Sequence, residues 1–409
     1  MTQPTAAGPV RDINWIKQAL QSAIELECST LPLYFSAIFS LKVQNYTIYN
    51  QIRSVAMEEM VHMANAGNLL AAIGGTPQVK SIDIKYPAQG LPGGTEPDLH
   101  VGLTRFCREQ VRNFMRIETP AILLSEKYLN EAYPTISVFY QTIRDAINEN
   151  AETVRAAIEA GGSSNQIRDN IGVQQVFFVQ GDDPVKSMLA SIDEILEQGE
   201  GASTQSLVTS GKYGLEISHY ARFAEMFYGR AYDEPKPPAP LNLETEPLFF
   251  KGLPIGWPDV INVLAVPSDG YAAILALDPN APAVLKDLVA FDSAYTSVLA
   301  ALDLAWNGPA ADSWPNVGLS VRGIGGNPKG MIDFRVLARE NVTRHQIPAN
   351  VASQLNTLYP SEFKFLKTYT DLDQPIFYGP RFINTSIARP MPPPVVASVV
   401  NAPVASTNP

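Results

Sequence analysis

The chain has 409 residues, of which 45% are hydrophobic and 17% are charged, and its formal net charge is -11. This length is sufficient for one large domain with extensions, or for two domains. The excess of acidic residues argues against nucleic acid or an anionic membrane as the main partner, because both attract basic patches.

The first half of the chain is predicted to be mainly helical. Apolar residues recur there at steps of three and four, the spacing that places them on one side of a helix. Glycine and proline supply several of the ends, as at Gly74-Gly75 and Pro120. An irregular insertion over about 161–205 includes a short strand predicted at 176–179. The predicted helices are 12–41, 51–73, 103–118, 136–160, 185–198 and 206–228.

The second half of the chain has a different composition. Residues 233–267 are rich in proline and have little periodicity, whereas 284–306 and 330–342 are predicted to be helices. We therefore expect a helical bundle over 1–232, with the insertion inside it, and a mostly helical C-terminal extension over 233–388 that packs against it. Residues 389–409 are mainly proline, valine and alanine, a composition typical of a disordered tail.

Two of the four histidines follow a glutamate by three residues. On a helix, residues at i and i+3 stand about 60° apart, so each pair presents a carboxylate and an imidazole to the same side. Two such pairs, with one lone glutamate from each of two further helices, form the ligand set of dimetal carboxylate bundles. The six predicted metal ligands are Glu27, Glu59, His62, Glu118, Glu216 and His219.

Helical phase selects these six residues from their neighbours. Each interrupts an apolar stripe, whereas Glu25 and Glu58 lie outside the stripes and are predicted to face solvent. Unpaired carboxylates in a core would cost several kcal/mol each, and a pair of divalent cations removes that cost. Tyr34, one heptad beyond Glu27, either lines the metal pocket or belongs to the ordinary core.

The mixed oxygen and nitrogen ligand set favours two divalent metal ions, with iron the first choice and manganese or a mixed iron–manganese pair as alternatives. The second ring nitrogen of each histidine is expected to donate to an acceptor outside the ligand set. The sequence does not identify that acceptor, and it identifies no other catalytic residue.

At these residues the sequence resembles the ferritin-like family named for iminophenyl-pyruvate dimer synthases. The resemblance covers roughly residues 12–232 and implies a ferritin-like four-helix bundle with oxidative chemistry in secondary metabolism. The family commonly has glutamate where this chain has Val138, so any role of that glutamate is absent here. The matching segments are LECSTLPLY (26–34), EMVHM (59–63), NLLAAIGGTP (68–77), FMRIE (114–118), EQGEG (197–201) and EISHYARF (216–223).

The predicted function is an O₂-dependent dimetal oxidase or oxygenase that acts on a small organic molecule. The sequence does not decide whether the protein needs an external electron donor or forms a small homo-oligomer. A ferroxidase or iron-handling protein is the first alternative, although the insertion and the C-terminal extension would obstruct assembly of a storage cage. The second alternative is a metal-stabilised, non-catalytic partner of a biosynthetic complex. Neither a signal peptide nor a membrane span is predicted, and two widely separated cysteines fit a cytoplasmic protein.

Overall fold

The computed structural model describes residues 10–42, 46–124, 133–161, 165–168, 175–200, 207–211, 214–309, 314–324 and 329–387. The tail predicted to be disordered, 389–409, lies outside these ranges. The N-terminal helices are α1 (Ile13–Ser40), α2 (Tyr46–Ala72), α3 (Arg108–Ile117), α4 (Ile136–Glu149), α5 (Ala151–Glu159), α6 (Pro184–Glu200) and α7 (His219–Tyr228). The C-terminal helices are α8 (Ala272–Leu275), α9 (Ala281–Asn307), α10 (Trp314–Arg322), α11 (Met331–Arg335), α12 (Ala349–Ala352), α13 (Leu355–Leu358) and α14 (Phe363–Tyr369).

The strands form two antiparallel hairpins. In the first, β1 (Ala88–Leu91) pairs with β2 (Thr95–Val101), and in the second, β3 (Val208–Gly211) pairs with β4 (Gly214–Ile217). The other regular elements of the described residues are helices, which confirms the predicted mainly α fold. Helices α1 and α2 pack along each other, α3 packs on α7, and α4 packs on α6.

The two long N-terminal helices begin and end where the sequence predicts within a few residues. Asp12 caps α1, since its carboxylate accepts hydrogen bonds from the backbone amides of Asn14 and Trp15 at 3.0 and 2.9 Å. After α2 the chain turns at Gly74, whose φ of 73° favours glycine. These signals are local, so the sequence alone is sufficient to place both helices.

The single helix predicted over 206–228 is wrong in its first half. Hairpin β3–β4 occupies that half, and α7 begins only at His219, where Ser218 caps the helix by accepting from the Ala221 amide at 3.3 Å. The helix predicted over 136–160 is interrupted at Asn150, and no strand forms over 176–179. Periodicity over so short a segment does not separate a strand followed by a helix from one helix.

The C-terminal helix α9 packs closely on α2. Gly67 makes this approach possible, because a Cβ atom there would lie 2.4 Å from Cζ2 of Trp306. The indole nitrogen of Trp306 donates to Oδ1 of Asn68 at 3.0 Å, and the Asn68 amide in turn donates to the Ile167 carbonyl at 2.8 Å. One buried side chain thus links α2 to α9 and to the insertion. The division of the chain into domains remains a prediction.

Within the described ranges, α9 is the one helix long and apolar enough to meet the criterion for a membrane span, and 44% of its most apolar window is buried inside the protein. Core helices of globular proteins meet the same criterion. Asp292, buried on α9, is ion-paired with Arg381 at 2.5 Å. The helix is therefore weak evidence for a membrane partner, and the cytoplasmic location remains a prediction.

Candidate metal centre

Five of the six predicted ligands converge in the interior of the bundle. Each is at most 8% exposed, and together they form two groups whose potential ligand atoms lie within 4.8 Å of one another. Helix α1 supplies one residue, α2 two, the C-terminal end of α3 one and the first position of α7 one. The first group is Glu27, Glu59 and His62, and the second is Glu59, Glu118 and His219. Glu59 belongs to both groups.

The imidazoles present their Nδ1 atoms to the carboxylates. Nδ1 of His219 lies 2.8 Å from Oε1 of Glu59 and 3.4 Å from Oε2 of Glu118, yet it forms an aligned hydrogen bond with neither. Nδ1 of His62 lies 3.8 Å from the same Glu59 oxygen. The two imidazole rings stack with centroids 5.5 Å apart. Both Nδ1 atoms therefore face one shared carboxylate.

The acceptors that the sequence could not identify are Glu58 and Gln198. Nε2 of His219 lies 2.8 Å from Oε2 of Glu58, and Nε2 of His62 lies 2.8 Å from Oε1 of Gln198. The Gln198 amide nitrogen donates to Glu194 at 2.7 Å, which turns its oxygen toward the imidazole. Each Nε2 thus has an acceptor outside the centre for its proton, which leaves Nδ1 as the ring nitrogen that would bind a metal. Outer contacts of this kind orient metal-binding histidines.

The prediction that Glu58 faces solvent is wrong. Its side chain is buried against α7, where the Arg222 guanidinium lies 2.7 Å from Oε1 while His219 holds the other oxygen. Burial alone would raise the pKa of Glu58, but His219 and Arg222 outweigh it and lower that pKa to about 2. Glu58 is therefore an ionised support for His219. The apolar stripe of α2 could not reveal it, because the partners of Glu58 are also polar.

Glu216 does not join either group. It lies on β4, opposite Thr209 in the hairpin, and its side chain is 35% exposed and 3.4 Å from the Arg222 guanidinium. Glu216 and His219 would face the same side only if one helix contained both residues. Helix α7 begins at His219, so Glu216 lies before it and its side chain takes another direction. The described centre consequently contains three carboxylates and two imidazoles.

Two tyrosines hold the terminal carboxylates. The Tyr140 hydroxyl donates to Oε1 of Glu27 at 2.5 Å, and the Tyr34 hydroxyl donates to Oε1 of Glu118. Burial, followed by the nearby carboxylates, raises the pKa of both phenols well above 10. Both tyrosines are thus neutral donors. Tyr34 contacts the pocket instead of being ordinary core, and Tyr140 had no signal in the sequence because Glu27 is 113 residues away.

The site is crowded with negative charge. The pKa of Glu27 is raised mainly by burial and, to a smaller extent, by the nearby charge of Glu59. The pKa of Glu59 is likewise raised mainly by burial, with Glu118 as the second cause. Burial would lower the pKa of His219, but Glu118, Glu58 and Glu59 together raise it. Burial lowers the pKa of His62. Without cations, these groups can share the interior only by retaining protons.

The residues present fit a pair of divalent cations. Oε2 of Glu27 and Nδ1 of His219 are buried without a hydrogen-bond partner. Both are ligand types that iron and manganese accept, and cations there would replace the protons that otherwise offset the carboxylate charge. Glu27 and His62 would hold one ion and Glu118 and His219 the other, with Glu59 between them.

A small cavity of about 30 Å³ lies beside Glu118. Ser137 and Tyr140 of α4 line it, together with Leu196 and Gly199 of α6. Its volume is near that of a single water molecule.

Replacing Glu58 with glutamine is expected to weaken metal binding roughly tenfold to a hundredfold, the usual cost of losing an outer carboxylate. The amide keeps the shape of the side chain but removes the charge that orients His219. Competition with a chromogenic chelator measures the change. Glu25→Gln is the matched control, because the Glu25 carboxylate accepts a hydrogen bond from Gln21 at 3.0 Å and belongs to neither buried group, so this variant should leave the affinity unchanged. Equal affinities in both variants would contradict the role of Glu58.

Comparison with known proteins gives one family match. A sequence model described as ferritin-like matches residues 20–228, a range that contains all the predicted ligands. A solved structure of a ferritin-like protein from Caulobacter vibrioides is 20% identical, with a TM-score of 0.47, and the alignment covers 78% of this chain and 98% of that chain. No curated protein matches the sequence significantly.

Proposed function

Because this chain belongs to the ferritin-like family, we propose that it is a dimetal carboxylate protein that uses O₂ to oxidise a small organic molecule. Iron is the favoured metal, with manganese or a mixed pair as alternatives. The resemblance of the ligand segments to those of iminophenyl-pyruvate dimer synthases suggests secondary metabolism. An external electron donor is required only if the substrate supplies fewer electrons than the reaction consumes.

The observation that carries this proposal is the sharing of Glu59 by two buried groups, each completed by an imidazole with its Nδ1 directed inward. Dimetal carboxylate bundles likewise draw inward-projecting glutamates and two histidines from facing helices. A structural ion pair would not need both imidazoles to present the same ring nitrogen to one carboxylate.

The protein's own residues control what happens at this centre. Tyr34 and Tyr140 hold Glu118 and Glu27 in fixed orientations, which limits movement of the terminal ligands. The rings of Phe114 and Phe223 pack on Tyr34 with centroids 4.8 and 5.3 Å away, so this side of the centre is closed to water. When bound, two reduced metal ions would supply electrons to O₂.

A suitable substrate class is an imine derived from an aromatic amino acid, as the family resemblance suggests. Joining two such molecules by one new covalent bond removes two hydrogen atoms. One O₂ accepts the two electrons and two protons and leaves as hydrogen peroxide, so the reaction balances without a further reductant.

The size of the cavity beside Glu118 favours a second candidate function. A cavity of about 30 Å³ has room for an ion or O₂ but not for an aromatic molecule. A ferroxidase needs no more than that, because its substrate is Fe²⁺. Segments 125–132 and 201–206, which adjoin this cavity in sequence, lie outside the described residues.

Oxygen uptake by protein loaded with Fe²⁺ under anaerobic conditions tests the proposal. An amino-acid oxidase with ammonium generates an aromatic amino-acid imine in the same vessel and itself consumes O₂, so its uptake without the protein is subtracted. We expect additional O₂ consumption that continues for many turnovers only when the imine is present. Glu27→Gln, which removes one ligand charge, should lower this turnover at least about a hundredfold, and an unchanged circular dichroism spectrum would show that the variant is folded.

Uptake that continues with excess Fe²⁺ alone would instead support the ferroxidase. Tight metal binding without O₂ consumption under either condition would contradict both the oxidase and the ferroxidase. The remaining candidate would then be a metal-stabilised, non-catalytic partner of a biosynthetic complex. Mass spectrometry of the organic products separates coupling from simple oxygen insertion.

A further inference from the structure

A second and much larger cavity lies on the other side of the ligand helices. It has a volume of about 920 Å³ and is enclosed by α1 and α2 on one side and by α9, α10 and α11 on the other. Its floor includes Cys28, Met60 and Met63, each of which directly follows a residue of the metal centre. Successive residues of a helix point about 100° apart, so this cavity and the metal centre occupy different faces of the same two helices.

The interior of this cavity is apolar and adaptable. Leu31 and Phe35 of α1 and Leu299 and Leu302 of α9 line it, and α2 contributes Met57, Met60 and Met63 from one face. Flexible methionine side chains adjust to apolar molecules of different shapes. A volume near 900 Å³ lies within the range of small-molecule sites, which is about 300–1,000 Å³. The interior therefore suits an apolar body of considerable size.

The rim of the cavity is positively charged. Arg53 of α2, Arg322 of α10 and Arg335 of α11 all line it, and all three are exposed. Its described lining contains no aspartate or glutamate, although the chain as a whole has 41 acidic and 30 basic residues. Three exposed arginines from three helices make the lining of this cavity basic in an acidic protein, which is complementary to an anion.

We propose that this cavity, between α1–α2 and α9–α11, binds a small amphipathic anion, with the apolar body inside and the anionic head at Arg53, Arg322 and Arg335. The chemistry recognised is one carboxylate or phosphate on a long apolar chain or ring system. The cavity has a volume of about 920 Å³ and two walls of helices, so it fits a small molecule better than the surface of a protein partner. The C-terminal extension forms one whole wall, which gives that half of the chain a role in ligand binding.

Calorimetric titration of the metal-loaded full chain tests this proposal. The probes are sodium dodecanoate and dodecyl phosphate, with 1-dodecanol as the uncharged match and sodium butyrate as the short match. We expect either long-chain anion to bind at least about tenfold more tightly than 1-dodecanol, since a charge-assisted hydrogen bond is lost with the head group. Butyrate should show no binding.

Two variants locate the binding. The double variant Arg53→Gln, Arg322→Gln should bind the two long-chain anions about tenfold or more weakly, whereas its affinity for 1-dodecanol should be unchanged. Leu302→Trp, which fills part of the cavity, should weaken all long-chain probes. Arg155→Gln on α5, where the guanidinium pairs with Asp183 at 3.2 Å, is the matched control and should bind like the parent. Unaltered metal content and melting temperature establish that each variant is folded.

The proposal fails if 1-dodecanol binds as tightly as the anions, if neither anion binds, or if the folded double variant binds like the parent. If dodecanoate binds more tightly than dodecyl phosphate, the preferred head group is a carboxylate. If dodecyl phosphate binds more tightly, the preferred head group is a phosphate. Glu59→Gln should retain this binding, because its side chain faces the metal centre, so loss of metal and loss of the amphiphile are separable results.

Discussion

Glu59→Gln is expected to remove both metal ions from the protein. Glu59 is the residue common to the two buried groups, so losing its charge weakens both positions at once. Loss of an outer contact alone costs about tenfold to a hundredfold in affinity, and loss of a shared ligand should cost at least about a hundredfold at each position. The metal content after dialysis, measured by elemental analysis, should fall from about two ions per chain in the parent to almost none in the variant.

Glu216→Gln is the matched control, because it makes the same chemical change three residues from His219. Glu216 lies on β4 outside both groups, so this variant should keep its full metal content. The helical pattern of the sequence instead predicts a loss. A variant that has lost one metal would contradict the placement of Glu216 in the structure and would restore the fourth carboxylate.

Removal of the metals is expected to lower the melting temperature, and by more at pH 8 than at pH 6. At metal concentrations about a thousand times the dissociation constant, binding stabilises the native state by about 4 kcal/mol, which corresponds to about 10 °C for a domain of this size. Scanning calorimetry with and without a chelator measures the difference. Glu27→Gln should make the metal-free protein more stable at pH 8 than the metal-free parent, because the amide is neutral in the interior without having to bind a proton.

The direction of the pH effect follows from the native-state pKa values. Those of Glu27 and Glu59 are raised, so the metal-free native state binds protons that the unfolded chain releases above about pH 4.5, and stability falls as the pH rises. The raised pKa of His219 acts in the same direction, since its contribution is present below about pH 6.5 and is lost as the pH rises through the native pKa. The lowered pKa of His62 opposes these three groups.

Bound cations reverse this dependence, because they take the place of the retained protons and bind more tightly once those protons are gone. The gap between the two melting temperatures should therefore widen with pH. A metal-free protein that becomes more stable between pH 6 and pH 8 would show that the carboxylates are not crowded in a dry interior.

The residues of α1 and α2 could be predicted from the sequence because the decisive information is local. Glu27, Glu59 and His62 each interrupt an apolar stripe of a long, well-capped helix, and that stripe faces the core in the structure. Glu118 could be predicted in the same way, although it lies at the cap of α3 instead of inside it. A helix several turns long fixes the direction of its side chains before any other element is considered.

The sequence by itself determined a mainly helical protein and five of the residues that meet at its centre, because periodicity and capping act within one helix. Only the tertiary structure decided that Glu216 leaves the site and that Glu58 supports it, since a hairpin and a cap at Ser218 delay the start of α7. It also decided the pairing of Tyr140 with Glu27 and the large cavity against the C-terminal helices. These features depend on contacts between segments far apart in the chain, so they cannot be predicted from the periodicity of either segment alone.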